Sequence, residues 1–269
     1  MKDGFVKTAA GTPDIKVADC GYNCARIKAL IDKAHEQGVR VLVLPELCIT
    51  GYTCQDLFFQ QTLLDGALNA LKDITEHSAG LDMLIAVGCP LRFRGELYNC
   101  AVVMKDGKIL GVVPKKFLPN YNEFYEKRHF TAAPEGEYDI ELFGESVPFG
   151  LGLLFECRGT PELVFAAEIC EDLWAAEPPS ISLALGGATL IANLSASNET
   201  IGKDSYRREL VNSQSARLLC GYVYASAGSG ESTQDLVFGG HDIIAENGIV
   251  LAELSLIHIS EPTRPISIS

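Results

Sequence analysis

Cys170 stands in the segment Val-Phe-Ala-Ala-Glu-Ile-Cys-Glu-Asp-Leu-Trp, where an apolar, strand-like run stops at a thiol. A thiol at the end of a buried strand can attack an amide carbonyl, provided a base removes its proton, because the thiolate is the nucleophile. Two other segments have the same form. Val-Leu-Pro-Glu46-Leu ends an apolar run at a carboxylate, and Val-Pro-Lys115-Lys-Phe-Leu-Pro ends one at an ammonium. A carboxylate can accept the thiol proton and later pass it to departing ammonia. An ammonium, helped by the backbone N–H of Glu171, can stabilise the oxyanion of the tetrahedral intermediate; losing one such donor typically costs about 2.7–4 kcal/mol of barrier. Taken alone, a strand-end Glu is usually solvated, one of two adjacent lysines lies on the surface, and most cysteines pack as small hydrophobes. Their joint occurrence in the order Glu, Lys, Cys points to amide hydrolysis through a thioester. None of the five histidines (His35, His77, His129, His241, His258) shows a pairing signal, and Cys170 lacks the G-x-C-x-G setting of Cys-His amidotransferases.

The elements that must hold these groups are legible in the apolar periodicity. Residues 24–37 carry Cys24, Ile27, Leu30, Ile31 and Ala34 on one helical face and stop at Gly38; Val39–Pro45 follows as a buried strand. A helix is expected over Asp56–Glu76, and strands over Met83–Cys89, Leu151–Cys157, Leu163–Ile169, Thr189–Leu194 and Gly221–Ala225. Asp106-Gly107 and Asn247-Gly248 mark two hairpins, since both central turn positions want positive φ. Short and long helices are expected at Pro179–Leu185 and over 204–219. Alternating strands and helices with antiparallel hairpins imply a layered α/β domain with mixed sheets.

The chain has 269 residues, a net charge of −13 and a hydrophobic content of 47%, enough for a single substantial core. The acidic balance argues against nucleic acid and anionic membrane as partners, which need clustered Lys and Arg. No apolar run reaches the roughly 18 residues of a membrane span, and no signal core opens the chain. Nine cysteines without C-x-x-C spacing read as free thiols rather than disulfides or a zinc site, which suits a cytoplasmic location.

More restrictive blocks surround the three residues. Pro45-Glu46-Leu47 leads into Thr50-Gly51-Tyr52 and Asp56-Leu57-Phe58. Pro114-Lys115 leads into Leu118-Pro119-Asn120-Tyr121 and Glu123-Phe124-Tyr125-Glu126. Cys170-Glu171-Asp172-Leu173-Trp174, Asn193-Leu194-Ser195-Ala196-Ser197 and the run Gly230–Gly240 complete them. With these blocks the chain, over residues 1–254, resembles the nitrilase-type N-terminal glutaminase domains of glutamine-dependent NAD synthetases. The resemblance implies a four-layer α-β-β-α fold and hydrolysis of the glutamine side-chain amide by Glu46, Lys115 and Cys170. It picks Lys115 over Lys116. It implies a second carboxylate beside the nucleophile, matched by Glu123 with Glu126 as the competing position. Tyr52, Glu171 and Ser197 match positions that read the α-amino and α-carboxyl groups, Tyr121 could close the pocket, and Phe124, Tyr125 and Trp174 could wall it. No metal or organic cofactor is implied for this half-reaction. ATP and magnesium would serve a C-terminal synthetase domain, whose Ser-Gly-Gly-x-Asp-Ser loop does not occur here. The intact enzyme is expected to be a homo-oligomer that passes ammonia from one domain to the other.

Two alternatives remain at this level. A stand-alone aliphatic amidase or ω-amidase would share the fold and the three residues but gives no reason for the Gly230–Gly240 run. An inactive partner-binding scaffold would lack a reactive thiol. Residues 255–269 continue neither helical nor strand periodicity; the string that starts at Leu254, Leu-Ser-Leu-Ile-His-Ile-Ser-Glu-Pro-Thr-Arg, resembles translated sequencing-adapter DNA, so residues 255–269 are expected to lie outside the fold and to replace a longer natural chain.

Overall fold

The computed structural model describes residues 4–254 and the backbone of 266–267. Strands β1 (Thr8–Ala10), β2 (Val41–Val43) and β3 (Leu84–Phe93) run parallel, and β3, β4 (Glu96–Lys105) and β5 (Lys108–Pro114) run antiparallel. A hairpin of β6 (Tyr138–Leu142) and β7 (Glu145–Phe149) extends this first sheet beyond β5. The second sheet sets β8 (Phe155–Cys157), β9 (Thr160–Ile169), β10 (Leu190–Ser195), β11 (Gly221–Ser226), β12 (Asp242–Glu246) and β13 (Ile249–Leu254) side by side, with β9, β10 and β11 parallel. Both expected tight turns form, and Asp106, Gly107, Asn247 and Gly248 all take positive φ.

Helix α1 (Cys20–Glu36) is capped by Asp19, whose Oδ1 accepts from Tyr22 N at 3.0 Å, and ends before Gly38 at φ +74°. It buries Cys24, Ile27, Ile31 and Ala34 with the apolar face of α2 (Gln61–His77) against the first sheet. Alternate side chains of the two sheets meet in a second apolar layer, including Val43, Ala86, Ala101 and Val113 against Ala167, Ile169, Leu194 and Val223. The outer face of the second sheet is covered by α5 (Pro179–Leu185) and α6 (Lys203–Leu218). Three apolar layers thus separate four layers of structure, in the α-β-β-α order.

Sequence and structure part at some element boundaries. The helix expected over Asp56–Glu76 is two pieces, a 3-10 turn at Gln55–Phe59 and then α2, because Gln60 is extended at φ −86° and ψ 122°. The β6–β7 hairpin has little signal in the periodicity, because only Ile140, Leu142, Val147 and Phe149 are buried there, at the sheet's edge. Residues Ile266–Ser267, expected outside the fold, pair antiparallel with β1 as β14. An edge strand offers unpaired N–H and C=O groups that any extended segment can meet, whatever its side chains. The rest of 255–269 lies outside the described residues.

Candidate active site

The two sheets bring three strand ends to one place. Glu46 follows β2, Lys115 follows β5, and Cys170 follows β9. The end of β10 links two of them: Glu46 N donates to Ser195 O at 3.3 Å and Cys170 N to Leu194 O at 3.0 Å. The loop carrying Glu46 lies directly on β3 at Gly88. A Cβ there would stand 2.2 Å from Leu47 N and 2.4 Å from Pro45 O, so glycine is required by backbone contact. Cys170 itself sits at φ +43° and ψ −100°, a left-handed conformation that costs a non-glycine residue of order 1–3 kcal/mol. Its amide is tied to Leu194 O and to Asn193 Oδ1, the latter at 3.1 Å, and this holds the sharp turn between β9 and the short helix α4 (Glu171–Trp174).

The Lys115 ammonium is fully buried between two carboxylates, at 2.6 Å from both Glu46 Oε1 and Glu126 Oε1. The second carboxylate is therefore Glu126, not Glu123. Glu126 opens the short helix α3 (Glu126–His129), which turns its side chain inward. Glu123, three residues earlier in a loop, instead accepts from Asn198 Nδ2. Spacing alone could not separate the two, because loop geometry decides which side chain faces the lysine. Asn99 on β4, missed by the sequence reading, donates Nδ2 to Glu46 Oε1 at 2.6 Å, while Glu46 Oε2 is buried with no partner among the described residues. An asparagine inside an apolar strand was the available signal.

The charges fit thiol chemistry. Burial pulls the Lys115 ammonium down, but Glu126 and then Glu46 more than offset it and hold it well above its ordinary value. Burial raises Glu126, against the pull of Lys115. Burial and then the Glu46 carboxylate push the Cys170 thiol far up, so sulfur rests as a protonated thiol and needs a base in order to attack. Lys115 spends two of its three N–H donors on the carboxylates and keeps a third.

Tyr52 does not present a free hydroxyl: it donates to Glu126 Oε1 at 2.8 Å. Tyr121, half exposed, donates to both Glu171 oxygens, at 2.9 and 3.0 Å, and so covers the carboxylate next to Cys170. Ser197 is 2% exposed, and its Oγ accepts from Arg207 Nη2 at 3.2 Å. Lys203, unmarked in the sequence reading, donates to Asn198 Oδ1 and lies 5.2 Å from the Trp174 ring centroid and 5.8 Å from that of Phe124. Burial lowers its ammonium and the charge of a Cys170 thiolate would raise it. Phe124 packs with Ala196, Ala227, Leu236 and Phe238, while Tyr125 is half exposed.

The Gly230–Gly240 run also finds its place. Glu231 accepts from Tyr52 N at 2.7 Å, Thr53 N at 3.0 Å and Thr53 Oγ1 at 2.6 Å, and so fixes the loop behind Tyr52. Phe238 lies edge-on to Tyr52 and bridges to Asn198. Among the described residues no cluster of His, Cys, Asp or Glu could hold a metal ion, and no helix is long and apolar enough to cross a membrane.

A carbon-nitrogen hydrolase family model matches residues 7–257. The glutamine-dependent NAD(+) synthetase of Mycobacterium tuberculosis (strain H37Rv) is 45% identical over 250 residues, which are 93% of this chain and 37% of that protein. Its human counterpart is 31% identical, over 89% of this chain and 35% of its own length. The chain thus spans little more than a third of these curated relatives. Among solved structures, the glutamine-dependent NAD(+) synthetase of Cytophaga hutchinsonii superposes with a TM-score of 0.83 at 31% identity, over 92% of this chain and 40% of that one. An amidase from Nesterenkonia, 18% identical, superposes at 0.75 over 99% of this chain and 90% of its own, which shows the shared fold.

Proposed function

Since the chain belongs to the carbon-nitrogen hydrolase family, we propose that it hydrolyses the side-chain amide of glutamine through a thioester on Cys170. The observation that carries this is the buried Glu46–Lys115–Glu126 group, with one Glu46 oxygen unpaired and one lysine N–H unspent. Glu46 Oε2 takes the thiol proton as Sγ attacks the amide carbon. The third N–H of Lys115 and the backbone N–H of Glu171 receive the oxyanion. Collapse breaks the C–N bond, and Glu46 returns the proton to the leaving nitrogen, which departs as ammonia. Water then attacks the thioester with Glu46 again as base, which releases glutamate and restores the thiol. Glu126 and Tyr52 hold Lys115 in line. No step calls on a metal or organic cofactor.

Glutamine is preferred over a plain amide because the groups around Cys170 carry both signs of charge. Glu171, with Tyr121 over it, suits the α-ammonium. Lys203 and Ser197 suit the α-carboxylate. The relatives are named as glutamine-dependent NAD(+) synthetases and are longer, so the ammonia is assigned to a synthetase domain of the same protein, where any ATP and magnesium requirement would lie. All nine cysteines are free thiols, which supports a reducing, cytoplasmic setting. The test is ammonia release from glutamine and from propionamide by the wild type and Cys170→Ala. Glutamine turnover lost in the variant supports the reading; a preference for propionamide would assign the chain to the amidases instead.

A further inference from the structure

Arg207 is fully buried on α6, and among the described residues its guanidinium hydrogen-bonds to none of Glu46, Lys115 and Cys170. It reaches three successive residues after β10: Ser197 Oγ at 3.2 Å, Asn198 O at 3.1 Å and Glu199 Oε1 at 2.6 Å. Asn198 in turn holds Lys203 and Glu123 through its side-chain amide. Arg207 therefore anchors the segment that follows β10, to which Lys203 and Glu123 are tied. Behind it, Nη1 lies 2.8 Å from His241 Nδ1, and His241 Nε2 lies 2.8 Å from Glu253 Oε1.

This arrangement fixes the histidine's tautomer. A guanidinium only donates, so His241 Nδ1 must accept and the ring proton must sit on Nε2, pointing at Glu253. The imidazole is 2% exposed, and burial holds it below its ordinary value, so it stays neutral in this role. Arg208 Nε secures the other Glu253 oxygen at 2.8 Å.

We infer that Arg207, held by His241 and Glu253, is a positioning residue that sets Ser197, Asn198 and Lys203 for the substrate's α-carboxylate. The inference rests on the glutamine reading above. Glu46, Lys115 and Cys170 are held by other contacts, from Asn99, Glu126, Asn193 and Leu194. Disturbing the relay should therefore weaken recognition of glutamine and spare chemistry on an amide with no α-groups. A merely structural role would depress both substrates alike.

The experiment measures ammonia release from glutamine and from propionamide by the full chain and three variants. His241→Leu keeps bulk but offers no acceptor to Arg207. Its KM for glutamine should rise about 10-fold, equivalent to 1.4 kcal/mol, the scale of one charge-assisted hydrogen bond. Its kcat for glutamine, and its kcat/KM for propionamide, should stay within about twofold. His241→Gln, with a carbonyl acceptor and an N–H donor, should return the glutamine KM to within about threefold of wild type. Glu253→Gln, at a side chain 34% exposed, keeps the test open if His241→Leu does not fold; its KM should rise by about threefold, the loss of charge at one end of the relay. Proportional losses on both substrates, or an unchanged glutamine KM in His241→Leu and Glu253→Gln, overturn the inference. A wild type that uses propionamide but not glutamine removes the glutamine reading and this inference with it, and shows itself before any variant is compared.

Discussion

Glu126→Gln tests the structure against the spacing. Glu126 Oε1 accepts from Lys115 Nζ at 2.6 Å and from Tyr52 Oη at 2.8 Å, while Oε2 is buried without a partner among the described residues. Glutamine has nearly the same shape. Its carbonyl can keep both contacts and its NH₂ can occupy the place of Oε2, so the fold should survive. Removing one of two carboxylates around a single ammonium also relieves a buried charge, and stability should change by no more than about 1 kcal/mol in either direction. What is lost is half of the charge that fixes Lys115. A charge-assisted hydrogen bond is about twice as strong as a neutral one, and hydrogen bonds to charged groups contribute about 1.5–3 kcal/mol. A loss of about 1.5–2.5 kcal/mol at the oxyanion donor corresponds to a fall in kcat of about 10- to 70-fold. Glu123→Gln should leave kcat within about twofold and raise KM by about threefold, since Glu123 hydrogen-bonds to Asn198 and lies in the field of Lys203 at the substrate end. The assay is steady-state ammonia release from glutamine beside thermal melting of both variants. If Glu123→Gln lowers kcat more than Glu126→Gln with both folded, the assignment of the second carboxylate is wrong.

Cys170→Ala should abolish ammonia release and thioester formation, whereas Cys220→Ala should keep both, because Cys220 is a buried thiol pushed up to about 12 on the far side of the second sheet; mass spectrometry after a glutamine pulse reports the covalent adduct directly. Gly88→Ala should lose nearly all turnover and about 3 kcal/mol or more of stability, since the new methyl group meets the backbone of Pro45 and Leu47 rather than a movable side chain; wild-type melting and activity in this variant would show that the loop carrying Glu46 is not held there. Burial raises Asp242 from 3.8 to about 7, although Ser226 N and Thr12 Oγ1 donate to it. A carboxyl whose folded value is raised contributes stability that is complete below the unfolded value and lost as pH rises through the folded one. Melting temperature should therefore fall between about pH 4 and pH 7, and Asp242→Asn should flatten that slope; an identical slope in the variant would refute the assignment.

The three catalytic candidates were legible because each closes an apolar run at a strand end, and strand ends are where a buried sheet exposes side chains. The layered α/β class followed from periodicity and from Asp106-Gly107 and Asn247-Gly248, where local turn chemistry alone forces a hairpin. Local sequence could not say which of Glu123 and Glu126 meets Lys115. Both are acidic residues in one short segment, and only the onset of α3 turns Glu126 inward. Nor could it give a role to Asn99, Glu231, Lys203 or Arg207. Each is an ordinary polar residue in its own segment and acquires a role only from a partner distant in the chain, as Asn99 does from Glu46 and Glu231 from Tyr52 and Thr53. What the sequence by itself determined is the candidate groups and the elements that carry them, because strand propensity, turn preference and side-chain reactivity are properties of short segments. The tertiary structure alone decided which oxygen meets which proton, because that depends on two sheets packing face to face and bringing separate strand ends within hydrogen-bond distance.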